Sequence, residues 1–139
     1  MADIVTDTGE AIITQRLRGL GTEPVFLTWG TGAGTSAKAD TTLFTESAST
    51  SVSGPNNIRV TGTSSQVTTG STNDTYQVTG TLVAEAIKTV TNVGLFNTNG
   101  AQTTPTAPSG ATIFCKSDFT GIVLAAADSI AFTLRIQIV

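Results

Sequence analysis

The last eleven residues, SIAFTLRIQIV (129–139), alternate without a break: Ile130, Phe132, Leu134, Ile136 and Ile138 are separated by Ala131, Thr133, Arg135 and Gln137. A period of two places the five apolar side chains on one face of an extended chain, the mark of a β-strand with one buried side. An exposed apolar edge would template aggregation, so the run predicts a strand paired on both sides inside a sheet. The same period recurs in TYQVTGTL (75–82), where Tyr76, Val78 and Leu82 alternate with Gln77, Thr79 and Thr81.

Working outward, PVFLTW (24–29), TVTNVGLF (89–96), ATIFCKSDF (111–119) and GIVLA (121–125) read as further strands, and residues 58–69 as a weaker, threonine-rich one. GSTND (70–74) is a turn. Residues 35–57 are mostly Ser, Thr and Ala and predict a long surface loop anchored by Leu43 and Phe44. Residues 97–110 hold Gly, Pro and Asn but nothing apolar beyond alanine, and predict a mobile loop. About a fifth of the 139 residues are threonine and 12% are charged. Seven or eight strands joined by small polar turns predict an all-β fold, an antiparallel β-sandwich or jelly-roll-like domain.

The first twenty residues differ in character and divide the chain into an N-terminal arm, 1–20, and a single β-domain, 21–139. In EAIITQRLRG (10–19), Ile12, Ile13 and Leu17, with Glu10 early, Arg16 and Arg18 late and Gly19 after them, fit a short amphipathic helix. A helix of about two turns does not persist without a surface to lie on. We expect Ile4, Val5, Ile12, Ile13, Arg16, Leu17 and Arg18 to meet a partner protein, the apolar members toward it and the two arginines toward its acidic rim. The competing arrangement is a lid over an open end of the chain's own β-domain.

Several function classes lose support. The chain has no histidine, which removes the commonest general base, the commonest metal ligand and the usual activator of Ser or Cys nucleophiles. A net charge of -3, with seven basic residues spread along the chain, argues against a nucleic-acid footprint. No apolar run spans a bilayer, and MADIVTDTGEA lacks the features of a secretory signal, so a soluble protein made in a cytoplasm is expected. Single Cys115 makes no internal disulfide; between Phe114 and Lys116 it reads as a small buried hydrophobe. Trp29 reads as a core aromatic. GTGAGT (30–35) lacks the following Lys-Ser/Thr of a phosphate loop and the helix of a dinucleotide fold. Asp74, Asp118 and Asp128 read as turn carboxylates bonded to their own backbone. No catalytic, cofactor-binding or metal-ligating residue is expected, and the chain reads as a non-enzyme.

Three segments carry a resemblance: LTWGTGAGTSAKADTTLFTES (27–47), NDTYQVTGTLVAEAIKTVTNVGLFN (73–97) and KSDFTGIVLAAADSIAFTLRIQIV (116–139). In order and spacing they resemble small virion proteins of tailed bacteriophages, in which a T-N-V-G-L-F strand, a variable loop and a closing D-S-I-x-F-T strand recur. The resemblance implies a structural protein of the virion, made in the host cytoplasm. It points first to a capsid decoration (cement) protein that binds the major capsid protein or another virion protein as a homotrimer. A tail, neck or fibre component that binds a receptor or another tail protein is the alternative. A cellular carbohydrate-binding sandwich would call for more exposed aromatics than Trp29, Tyr76 and six Phe provide.

Overall fold

A computed structural model describes residues 2–47, 59–103, 106–109 and 111–139. The chain runs β1 (Ala2–Val5), α1 (Asp7–Leu17), β2 (Phe26–Gly30), β3 (Val60–Thr61), β4 (Thr63–Val67), β5 (Thr75–Val83), β6 (Lys88–Phe96), β7 (Ala101–Thr103), β8 (Thr106–Ser109), β9 (Ile113–Leu124) and β10 (Ser129–Gln137). Two antiparallel sheets face each other, a five-stranded one in the order β1-β9-β6-β2-β3 and a three-stranded one in the order β10-β5-β4. The fold is the expected all-β sandwich with a short N-terminal helix.

The chain passes between sheets at Gly62, at residues 84–87 and at residues 125–128. Gly62 separates β3 in one sheet from β4 in the other. A Cβ there would lie 2.6 Å from both Leu27 Cδ1 and Val78 Cγ1, so the crossing is open only to glycine. The other two crossings lie side by side, with Ala84 N–H donating to the Asp128 carbonyl at 2.8 Å. Between the sheets, Leu27 and Trp29 of β2, Val78 and Leu82 of β5, Val90, Val93 and Leu95 of β6 and Phe114 of β9 form the main core. A register shift between Val90 and Asn92 lets β6 supply Val90 as well as Val93 to that core.

β10 is an edge strand, not the doubly paired strand that its alternation predicts. Its single neighbour among the described residues is β5. Ile130, Phe132, Leu134 and Ile136 pack against the core while remaining partly open. Alternation reports which face is buried; it carries no information about how many edges are bonded.

The division into an arm and a β-domain also gives way, because residues 2–17 are built into the sandwich. β1 pairs with β9, Ala2 opposite Asp118 through Val5 opposite Cys115. Thr6 caps the helix, accepting from Gly9 N–H at 2.9 Å, and donates its own hydroxyl to the Ile113 carbonyl at 2.8 Å. Gly9 is buried, and a Cβ on it would run into the Phe114 carbonyl, so helix backbone rests on strand backbone. The helix therefore starts three residues before Glu10, at Asp7. It ends as expected near Gly19, whose N–H bonds the Arg16 carbonyl while Leu20 N–H bonds that of Gln15.

The other face of the five-stranded sheet is covered by residues 31–47. Gly32 N–H donates to the Phe44 carbonyl at 2.9 Å, and fully buried Asn92 accepts from Phe44 N–H at 3.1 Å and donates to its carbonyl at 3.2 Å. Leu43 packs with Phe96 and Ile113 in a second small core. Two buried cations lock this cover. Lys116 reaches Asp40 at 2.9 Å, the Thr42 carbonyl at 3.0 Å and the Phe44 ring at 3.2 Å. Arg59 grips Glu46 with two 2.9 Å bonds and lies 3.8 Å from the Phe96 ring centre. The expected surface loop is thus a packed layer as far as Ser47; residues 48–57 of that stretch lie outside the described residues. The expected mobile loop at 97–110 contains the β7–β8 hairpin.

Burial raises the Asp40 carboxyl, but the bonds from Lys116 and Ala37 N–H, with the Lys116 charge, outweigh it and hold Asp40 below the usual range. A depressed carboxylate stabilises above its unfolded value and loses that contribution as pH falls through the folded one. Asp40→Ala strands the Lys116 ammonium and should cost roughly 3 kcal/mol at pH 7, against about 1 kcal/mol for Lys116→Met, which removes the buried charge itself. The gap between parent and Asp40→Ala should close as pH falls below the ordinary aspartate value of 3.8. Denaturant titrations across pH check both statements, and a costlier Lys116→Met would contradict them. Ile12→Ala should cost about 2–4 kcal/mol, whereas Leu17→Ala should stay within about 0.5 kcal/mol. Thermal melts showing equal effects would place the helix off the core.

Candidate partner-binding surface

The structure does not gather the seven expected interface residues on one face. Ile12 is 4% exposed and belongs to the main core, so it is withdrawn as a partner contact. The helix lies against β9 and buries the side on which Ile12 sits, with Ile13 packed at its margin. This is the arrangement of a lid on the chain's own domain. Leu17 is 84% exposed, and Arg18 is exposed at the helix C-cap. Arg16 is held by a 2.9 Å bond from Nη1 to the Gly21 carbonyl.

Ile13, Arg16 and Leu17 line a cleft of about 480 Å³ whose floor includes Tyr76, Phe114 and Ile136. Tyr76 donates its hydroxyl to the Pro24 carbonyl at 2.9 Å, and its ring meets Phe114 edge-on at 6.2 Å. Burial, with the nearby Glu23 charge, raises the phenol well above its ordinary value and keeps it neutral. Such a cleft offers apolar contact beside the charged side chains of Arg16 and Glu23.

Ile4 and Val5 belong to a different and larger opening. The five-stranded sheet overhangs the three-stranded one on the side where β1 and β10 form the edges. A cleft of about 820 Å³ opens there. Ile4 and Val5 of β1, Cys115 and Phe119 of β9, and Phe132, Leu134 and Ile136 of β10 line it. Phe132 sits at its floor, its ring 6.5 Å from Trp29 and 6.3 Å from Phe119. Trp29 itself is fully buried, a core aromatic.

The residues weighed for chemistry fall into structural places. Asp128 caps its turn, accepting from Ala125 N–H at 2.8 Å. Asp74 accepts from the N–H groups of Thr69, Gly70 and Ser71, led by the bond from Ser71, and its carboxyl falls far below the usual range. Asp118 is corrected: it lies within β9 rather than at a turn, and accepts from Ser36 N–H at 2.7 Å. Glycines 30, 32 and 34 press against residues 44–45 and Asn92 instead of framing an anion pocket. Among the described residues no group of three His, Cys, Asp or Glu is placed to hold a metal ion. Comparison with known protein families, with curated proteins and with solved structures finds no match in any of the three.

Sequence reasoning missed the lining that β9 and β10 give to the larger cleft, because Phe119, Phe132 and Leu134 look like ordinary core residues. The available signal was the absence of Pro, Gly and Lys from 129–137, the residues that usually blunt an edge. Cys115 lies at the back of that cleft, where burial, followed by the Asp3 charge, pushes its thiol up to about 12. It should therefore resist a thiol-specific reagent at pH 8 in the native protein and react fully once unfolded. Rapid labelling of the native protein would contradict the burial of the thiol.

Proposed function

We propose that this protein is a structural component of a tailed-bacteriophage virion, made in the host cytoplasm, and that it decorates the capsid by binding the major capsid protein or a neighbouring head protein. The observation that carries the reading is where the resembling segments fall. Residues 27–47, 73–97 and 116–139 supply β2, β5, β6, β9 and β10, together with the layer over β6. They form the contiguous framework of the sandwich rather than scattered loops.

Two further features support the reading. Asp128 and Asp74 serve here as turn caps and anchors, and Asp40 and Glu46 as partners of buried cations. The accessible apolar surface lies in open clefts and at the strand ends, where Ile87 and Val123 are 78% and 69% exposed, which suits contact with other proteins. As a decoration protein the chain acts by mass action: binding to the assembled lattice and not to its dissociated subunits stabilises the lattice. Assembly as an oligomer multiplies a weak single contact; the resemblance implies a trimer.

Adding the purified protein to particles that lack it, followed by cryo-electron microscopy, tests the reading. Regular density on the head lattice is expected, together with a higher temperature of particle disruption. Density confined to the tail, neck or fibres, or none on the particle, would overturn it.

A further inference from the structure

Exposed sheet edges are normally protected by shortness, proline, lysine or a bulge. Among the described residues, three of the four edges of the two facing sheets are short: β1, β3 and β4 have four, two and five residues. β10 has nine, with no proline or glycine, and its register with β5 runs unbroken from Ser129 opposite Val83 to Gln137 opposite Thr75. Its one charged side chain, Arg135, is turned onto its own sheet, Nε bonding Gln77 Oε1 at 2.6 Å.

The bonding pattern shows what the edge offers. Ile138 N–H donates to the Asp74 carbonyl at 2.9 Å, and the Asp128 carbonyl accepts from Ala84 N–H at 2.8 Å. Pairs in an antiparallel ladder alternate between bonded and non-bonded. Even-numbered residues of this strand therefore bond β5, and the N–H and C=O groups of Ala131, Thr133 and Arg135 point to the open edge.

We propose that a second copy of this chain occupies that edge, β10 against β10, about a twofold axis at Thr133. Centring on Thr133, the midpoint of the strand, pairs all nine residues and keeps the apolar side chains of both copies on one face. Arg135 then lies opposite Ala131 of the second copy. The two guanidinium groups stand four residues apart, about 13 Å, beyond the screening length of about 8 Å at physiological salt. An axis at Arg135 would set like charges face to face. Phe132 meets Leu134 of the second copy and Ile130 meets Ile136, which continues the apolar row and covers the mouth of the larger cleft. The contact is twofold, so the unit is a dimer where the resemblance implies a trimer.

Cysteine scanning of the full-length protein tests the register. Bonded pairs place their Cα atoms about 5.5 Å apart, within disulfide range. Under mild oxidation Thr133→Cys should run mostly as a linked dimer, Ala131→Cys alone should not, and a mixture of Ala131→Cys with Arg135→Cys should give the crossed product. The parent, whose Cys115 is buried, is the control and should sediment as a dimer at micromolar concentration. A monomeric parent whose Thr133→Cys variant links no better than the control would overturn the proposal and leave the edge to a strand of another protein. Equal linking at positions 131 and 133 would also overturn it. These measurements use isolated protein: a dimer that ignores capsids defeats the virion reading alone, and a monomer that decorates them defeats this one alone.

Discussion

A sheet of five strands faces a sheet of three, and the mismatch governs the rest of the molecule. The narrow sheet covers the wide one where Gly62 carries the chain from β3 to β4, and falls short of it on the side of β1 and β10. Apolar side chains on the uncovered strip need other cover. Part of it comes from the chain itself: Ile12 and Ile13 of α1 close one end, held by the bonds of Thr6 and the close approach of Gly9. The remainder is the cleft between β1 and β10, lined by side chains that reach the core without being sealed in it.

The opposite face solves its covering problem with charge. Residues 31–47 contribute few apolar side chains beyond Leu43 and Phe44, too little to hold a layer by hydrophobic burial alone. Lys116–Asp40 and Arg59–Glu46 supply the missing specificity. Each cation is bonded to a carboxylate and a carbonyl and lies against an aromatic ring, which satisfies it inside the protein. One face of the wide sheet is thus covered by the chain's own residues, while the seam between β1 and β10 stays partly open.

The strands at 75–83 and 129–137 were legible because their period is strict, and the core roles of Trp29 and Cys115 followed from apolar neighbours in sequence. What stayed hidden depends on contacts distant along the chain. The pairing of β1 with β9 joins residues more than a hundred positions apart, and nothing in ADIV announces it. Thr6 and Gly9 look like ordinary small residues until Ile113 and Phe114 are brought against them. The polar composition of residues 31–47 reads as solvent-facing because the partners of Asp40 and Glu46 lie on β9 and just before β3. Of the candidate interface, Ile4 and Val5 are half-buried and line the larger cleft. Ile12 instead joins the main core, because a short amphipathic helix shows which side is apolar but not whose surface it meets.

If the open seam is the organising feature, backbone amides along β10 report on it directly. Residue-resolved hydrogen exchange at a series of protein concentrations should show Phe132, Leu134 and Ile136 protected throughout by their bonds to β5. Ala131, Thr133 and Arg135 should be protected at high concentration and lose that protection on dilution. Protection of both sets at every concentration would mean that the chain closes its own seam. Rapid exchange of Ala131, Thr133 and Arg135 at every concentration would mean that no second copy closes it.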